Sequence, residues 1–440
     1  MAGSGWVQVA AERSASPPRL GIIADDYTGA VDLASAIRDH CQSVDLHFGL
    51  PSRCHPHGTA DAVIIGLKSR SVDPSLAVSL SRRAALWLLE RGASQLYFKY
   101  SSTFDSTREG NIGPVMDALT EEVRRFYGEE TRAPVLVCPA VPEYGRTVYQ
   151  GYLFVGDTLM SDASSESRHP LTPKQDANLV RLLSLQTPKA VGLLPWRVVT
   201  QGERPAAQKL ASVQRAGAQY VVADAIEESD LSTLGAIARS HRLVTGAAGL
   251  AAALVHGRIV AGSDVHRPAQ ELSGAVLSGS CTETTQEQVR RFEALRPTFR
   301  FSATTIAQGH AVVGEALRFA EMHLPTGPIA VSATAPHDVV RREQDALGRD
   351  RAAQLVETAL ADIASGLVSL GVRKLVVAGG ETSGAVVQRC GIGRVSVEGS
   401  VSPGIAWVRS DVPPLWLLLK SGPLGGADLF AQALLQNTPP

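Results

Sequence analysis

Cysteine is scarce, with five in 440 residues (Cys41, Cys54, Cys138, Cys281 and Cys390), and no two of them form a C-x-x-C pair. That spacing argues against a disulfide framework or a structural zinc site and fits a reducing cytoplasm. Positive charge is not in excess either: 42 Lys and Arg stand against 43 Asp and Glu, a net charge of −1. Without surplus cations to neutralise a phosphate backbone, nucleic acid is not an expected partner. No apolar run is long enough to span a bilayer, and the first residues lack the basic and apolar segments of a secretion signal. A membrane is therefore not an expected partner, and the expected setting is the cytoplasm. Neither a G-x-x-x-x-G-K-S/T loop nor a G-x-G-x-x-G turn is present, so neither a Walker fold nor a dinucleotide fold is supported.

What is there is a chain 44% hydrophobic and 19% charged, globular in composition and too long for one comfortable core. The stretch Lys374 to Val387 organises it. Leu375 to Ala378 reads as a buried strand, Gly379 and Gly380 as a tight turn, and Thr382 or Ser383 as the cap of a following helix. A strand, a glycine turn and a helix N-terminus make an anion site out of backbone N–H groups. An ordinary β–α turn is the plainer reading of the same residues.

Strand and helix alternate from the start. Leu20 to Ala24 ends in Asp25-Asp26-Tyr27-Thr28-Gly29-Ala30, and Ala62 to Leu67 ends in Lys68-Ser69-Arg70-Ser71. Gln95 to Phe98 leads into a run from Lys99 through Ser101, Ser102 and Asp105 to Asn111, and Val135 to Cys138 leads to Gly145-Arg146. In a parallel sheet these four strand ends share one edge, so their side chains converge on one crevice. Acidic residues at a helix start also serve as dipole partners, which explains one aspartate better than two. Cations among many hydroxyls and carboxylates suit a small polyhydroxy acid. Gly156 to Pro173 reads as an ordered or closing loop, in which His169 is either a ligand contact or a loop histidine.

The expected fold is α/β: two domains, each a mostly parallel sheet flanked by helices, with the active site in the cleft between them. Residues 1–18 form a flexible extension, 19–262 a substrate domain and 274–440 a nucleotide domain, divided by an aperiodic Gly/Ser/Pro-containing stretch. The second domain has three glycine-rich strand ends: Ser278-Gly279-Ser280, Gly379-Gly380-Glu381-Thr382 and Lys420-Ser421-Gly422.

Together these motifs resemble the four-carbon acid sugar kinases, from about Leu20 to Phe430. Lys99 to Thr107, Gly110 to Pro114, Gly145 to Gly151 and His169 to Pro173 look like the 3-oxo-tetronate kinase branch of that family. Pro423-Leu424 stands where the family more often has Asn-Phe, and Ser101 where it has Cys. The resemblance implies transfer of the γ-phosphate of ATP to the terminal O4 hydroxyl of a 3-oxo-tetronate, the alternative being D-threonate or D-erythronate. It puts the nucleotide contacts on Ser278 or Ser280, on Gly379, Gly380, Glu381 and Thr382, and on Gly422. Phosphoryl transfer needs a proton acceptor, here Asp26 or Asp105, and cations for the acid. Arg70, Lys99 or Arg146 would hold the carboxylate, with Asp25, Thr28, Lys68, Ser102, Asn111 and His169 completing the substrate site. Mg²⁺ would ride on the phosphates, with Glu381 either orienting it through water or acting as a helix-start acid; no side chain is assigned as a direct metal ligand. A non-catalytic acid-sugar-binding protein and a hydroxy-acid dehydrogenase are the rivals, the first having no use for three glycine loops. A homo-oligomer is left open.

Overall fold

The computed structural model describes residues 19–41, 43–51, 60–128, 133–163, 175–257 and 273–435. His169, and the expected division between domains, lie outside the described residues. In chain order the strands are β1 (Arg19–Ala24), β2 (Val44–Phe48), β3 (Ala62–Gly66), β4 (Ala93–Lys99), β5 (Val135–Cys138), β6 (Arg146–Tyr149), β7 (Tyr152–Val155), β8 (Thr158–Leu159) and β9 (Val191–Leu194). They continue with β10 (Tyr220–Ala223), β11 (Leu243–Gly246), β12 (Gly274–Ser278), β13 (Thr298–Arg300), β14 (Ile329–Ser332), β15 (Lys374–Ala378), β16 (Arg394–Ser402), β17 (Ile405–Asp411) and β18 (Pro414–Lys420).

The short β-branched runs form strands because both their faces are covered by helices. Every residue of β5, β10, β11, β12, β14 and β15 is buried, as expected of parallel strands. β2, β3, β1, β4, β11, β5, β10 and β9 make one parallel block. β13, β14, β12, β15 and β18 make a second. The two α/β halves are as expected, but they do not end as separate sheets. An antiparallel run, β18-β17-β16-β2, joins them into one sheet of 15 strands.

That join decides where the strand ends point. Counted along the sheet, β15 runs opposite to β1, because the three antiparallel pairings lie between them. Each step of a twisted sheet turns the strand direction by roughly 20–25°. The steps through β3, β2, β16, β17 and β18 therefore bring the carboxyl ends of the two blocks round to one side. The loops of both blocks do line a common cleft.

The seam is held by more than its ladder. Arg394 Nη2 donates to both oxygens of Asp45 (2.9 and 2.8 Å), and the buried Arg38 Nε reaches the Val397 carbonyl at 2.9 Å. Leu46 of β2, fully buried, packs into the main core at the same place. No described helix is long and apolar enough to cross a membrane. Leu46→Ala removes packing where the halves meet and should lower stability by about 2–5 kcal/mol in a denaturant titration; a change within ±0.5 kcal/mol would show that the seam carries no weight.

Candidate active site

The helix Tyr27–Arg38 begins where β1 ends, capped by Asp26, whose side chain accepts from the Gly29 amide at 3.1 Å. Thr28 Oγ1 donates to the other Asp26 oxygen at 2.7 Å. Arg70, from the loop after β3, reaches back with Nε and Nη2 to the two oxygens of Asp25 (3.0 and 2.7 Å) and with Nη2 to Asp26 (2.7 Å). Its Nη1 lies 3.7 Å from Asp105, in the loop after β4. One guanidinium therefore ties three neighbouring strand ends together. Burial works against the Arg70 charge, but Asp25 and Asp26 hold its pKa well above the usual range.

The two adjacent aspartates differ. Burial pushes the Asp25 carboxyl up despite Arg70, because its side chain is only 7% exposed. Burial opposes ionisation of Asp26 too, yet Arg70 and Lys99, with the bonds from Thr28 and Gly29, hold it below the usual carboxylate range. Glycine at position 29 is required by crowding: a methyl there would sit 2.3 Å from Asp26 Oδ1 and 2.7 Å from Lys99 Nζ.

Lys99, the last residue of β4, is buried and lies 3.5 Å from Asp32, whose other oxygen accepts from Tyr144 Oη at 3.3 Å. Burial raises the Asp32 carboxyl, with Lys99 pulling the other way. After Lys99 the chain turns through Phe104, a non-glycine residue at φ +48° held in the core against Tyr100. Such a conformation costs on the order of 1–3 kcal/mol and clusters at functional loops. Here it turns a hydroxyl chain toward the cleft: Ser101 Oγ to Thr103 Oγ1 at 2.8 Å, and Thr103 Oγ1 to Asp105 at 2.9 Å.

In the other half, the helix Gly380–Arg389 starts directly at the end of β15 with no side-chain cap. Its first amides are left for a ligand, the arrangement that binds anions at helix N-termini. Gly379 adopts φ +122°, reserved for glycine, and a methyl there would meet Thr382 Oγ1 at 3.0 Å and the Ser280 amide at 3.3 Å. A methyl on Gly380 would lie 3.8 Å from Thr28 Oγ1. Two helix N-termini, one from each half, thus face each other.

Between them lies a cleft of about 710 Å³, within the usual range of roughly 300–1,000 Å³ for small-molecule sites. It brings together Asp26, Thr28, Arg70, Lys99, Ser102, Asp105 and Arg146 with Ser280, Gly379, Gly380, Glu381, Thr382 and Gly422. Four expected residues within the described chain stand outside its lining. Asp25 sits behind Arg70. The Asn111 amide donates to the carbonyls of Ser69, Arg70 and Val72, which fixes the arginine loop. Ser278 is buried and bonded to Thr334 Oγ1 at 2.6 Å. The Lys68 ammonium lies 5.9 Å from the centre of the Tyr27 ring, and its stem lies where a methyl on Gly384 would collide.

The cleft also has residues not anticipated from sequence. Asp32 is the sole charged residue between Tyr27 and Ile37, a signal that was available. The lining also takes in Val340, Glu343 and Gln344 of the helix His337–Leu347 and Ala352, Ala353 and Val356 of the helix Arg349–Ser369, a slot whose apolar members are Val340, Ala352, Ala353 and Val356. Glu357 follows; burial first and then Glu381 raise its carboxyl. Among the described residues no cluster of three or more His, Cys, Asp or Glu could hold a metal by itself.

The family described as "Sugar-binding N-terminal domain" matches residues 20–254, and that described as "Nucleotide-binding C-terminal domain" matches residues 275–430. A 3-oxo-tetronate kinase of Burkholderia multivorans is 43% identical over 428 residues, 96% of this chain and 98% of its own. A 3-oxo-tetronate kinase of Methylobacterium radiotolerans is 44% identical over 425 residues, 94% of this chain and 98% of its own. Among solved structures, a Salmonella typhimurium protein superposes with TM-score 0.84 at 35% identity, covering 95% of this chain and 99% of its own. A Haemophilus influenzae protein does so with TM-score 0.76 at 36% identity, covering 94% and 98%.

Removing the arginine leaves Asp25, Asp26 and Asp105 without the guanidinium that they share. Arg70→Met should cost roughly 2–4 kcal/mol in thermal unfolding at neutral pH, about 1 kcal/mol below the range for a fully buried pair, since the side chain keeps 25% exposure. Arg70→Lys restores charge but not the fork and should recover part of that loss; full stability in Arg70→Met would contradict the clamp.

Proposed function

The chain belongs to the four-carbon acid sugar kinase family, in which a sugar-binding N-terminal domain precedes a nucleotide-binding C-terminal domain, and from that premise we propose that it is an ATP-dependent 3-oxo-tetronate 4-kinase. The observation that carries the reading is the single cleft in which the acid-and-hydroxyl end of one half meets the uncapped helix N-terminus of the other. We take residues 19–262 as the acid-sugar unit and 274–440 as the nucleotide unit, working in the cytoplasm.

Adenine fits the apolar slot between Val340 and Val356, and the triphosphate runs over the amides of Gly379 to Thr382, with Ser280 and Gly422 on its other side. Mg²⁺ on the phosphates would supply charge neutralisation. Glu381 and Glu357, both lining the cleft, are the carboxylates that would hold its waters. Arg146 and Lys99 hold the carboxylate of the acid sugar, and Ser102 with the neighbouring hydroxyls receives its oxygens. The terminal hydroxyl then points at the gap between Thr28 and Gly380.

Of the two aspartates assigned to the proton, Asp26 is the poorer acceptor. Its oxygens already receive Arg70, Thr28 and the Gly29 amide, and its pKa is lowered. We assign the proton of the terminal hydroxyl to Asp105, which lines the cleft at the end of the hydroxyl chain, and to Asp26 the fixing of Arg70 and the helix start. General-base catalysis is worth about 10²–10⁴ in rate. Asp105→Asn should lower kcat by that much in a coupled ADP assay, and Asp26→Asn should lower it as well through the displaced Arg70. Near wild-type turnover in both variants would remove the assignment.

In the same assay, 3-oxo-tetronates should exceed D-threonate and D-erythronate in kcat/KM by at least about tenfold, the value of one unmatched polar group. A reversed order would make the protein a threonate or erythronate kinase, and ATP-independent binding without ADP would make it no kinase.

A further inference from the structure

Lys420 ends β18 directly before Ser421 and Gly422, the loop that closes one side of the cleft, yet its own side chain is fully buried and does not reach that cleft. Its Nζ has three acceptors: Thr285 Oγ1 at 3.0 Å, Gln288 Oε1 at 2.5 Å and the Gly422 carbonyl at 2.9 Å. Three acceptors match the three N–H groups of an ammonium; a neutral amine, with two, leaves one of them unserved. Each partner passes the restraint on. The Thr285 hydroxyl donates to the Gly422 carbonyl at 2.9 Å, and Gln288 Nε2 donates to the carbonyls of Leu424, Gly425 and Gly426 at 3.2, 3.1 and 2.9 Å. Thr285 and Gln288 are themselves fully buried.

We propose that Lys420 is a positioning residue for the nucleotide loop, and that nucleotide binding is coupled to protonation of its buried amine. The inference rests on the kinase reading, because it takes the anion in the cleft to be the phosphate chain of ATP.

The physical basis is a cation with no counter-ion among the described residues. The groups around Lys420 come from the helix Glu283–Glu293, from β15 and β17, and from the loop and helix that follow β18. On that helix Glu287 is bound to Arg290 and Arg291, and Glu293 to Arg300, while Asp428 of the loop is bound to Arg291. Glu283 stands in the exposed first turn of the helix. Lys374, Arg409 and Asp411 lie beside or across from Trp416 and Pro414, at the far end of β18. The face nearest Nζ is the Phe430 ring, 5.8 Å away at its centroid. Burial alone pushes the Lys420 ammonium down to about 7. A phosphate chain laid over Gly422 supplies the missing negative charge and raises it again, since an opposite charge nearby favours the ionised form. By linkage, whatever proton the nucleotide brings in must in turn tighten the nucleotide.

The sign follows. Below about pH 6 the amine is already charged and binding recruits no proton to it; near pH 8 it is largely neutral in the free protein and charged in the complex. Calorimetry of a non-hydrolysable ATP analogue with Mg²⁺, repeated in buffers of different ionisation enthalpy, reads the protons taken up by the wild-type protein. About half a proton or more at pH 8, falling toward none at pH 6, is the expected result. KM for ATP should rise with pH above about 7, and Lys420→Met should abolish both the uptake and the rise while increasing KM on the order of tenfold. Binding without uptake at pH 8, or uptake that survives in Lys420→Met, overturns the inference and leaves the kinase reading intact. Absence of nucleotide binding overturns both. Because the uptake is read on the wild-type protein, a folding defect in the variant does not decide the outcome.

Discussion

The Arg70 guanidinium is the constraint on which the acid-sugar half depends. It spans Asp25 and Asp26 after β1 and Asp105 after β4, while its own backbone sits after β3. Three adjacent strand ends are thus held in one register by one charge, and the Asn111 amide fixes the loop that carries it. The arrangement suits an arginine, whose fork reaches several carboxylates at once and whose charge is never lost. A second, separate pair, Lys99 with Asp32, borders the same cleft. The site is therefore preorganised by ion pairs buried within the protein, and the hydroxyl chain from Ser101 to Asp105 is left facing the ligand.

The nucleotide half works by a different principle. On the proposed reading its contacts would be backbone amides exposed by glycine and by an uncapped helix start, and these need support from behind to hold a shape. Thr285, Gln288 and Lys420 supply that support under the 422–426 loop, and Thr334 bridges Ser278 to the Ser280 carbonyl under the neighbouring one. The continuous sheet brings these two kinds of site face to face. Without the antiparallel passage through β18, β17, β16 and β2, the carboxyl ends of the two parallel blocks would have no fixed relation.

Much of this was legible from residue patterns. Apolar runs ending in polar or glycine-rich loops marked β1, β3, β4, β12, β15 and β18, because parallel strands covered on both faces read as unbroken hydrophobic stretches. Asp25-Asp26 and Gly379-Gly380 stood out because each pairs a strand end with residues of special charge or conformation. The join was not legible: β2 and β16 mix Asp, His, Arg, Glu, Gly and Ser with Val and Leu, as strands at a seam between halves do. Nor was the slot, since Val340 and Val356 lie on amphipathic helices whose apolar faces look the same whether they cover a core or line a cleft. Motif membership did not reveal which side chains brace their own loops: Ser278 is bonded to Thr334, Asn111 to the carbonyls of Ser69, Arg70 and Val72, and Lys68 lies over Tyr27.

The central claim is that the two halves form one site, in which the γ-phosphoryl group passes from the nucleotide to the terminal hydroxyl oxygen of the acid sugar, leaving ADP. Phosphorus NMR of the protein mixed with ATP, Mg²⁺ and a 3-oxo-tetronate tests it most directly. The account predicts a single new phosphate monoester, coupled to a CH₂ group, that grows in step with ADP and is absent when either partner is withheld. Inorganic phosphate in place of the ester, an ester on an internal carbon, or no consumption of ATP would contradict it.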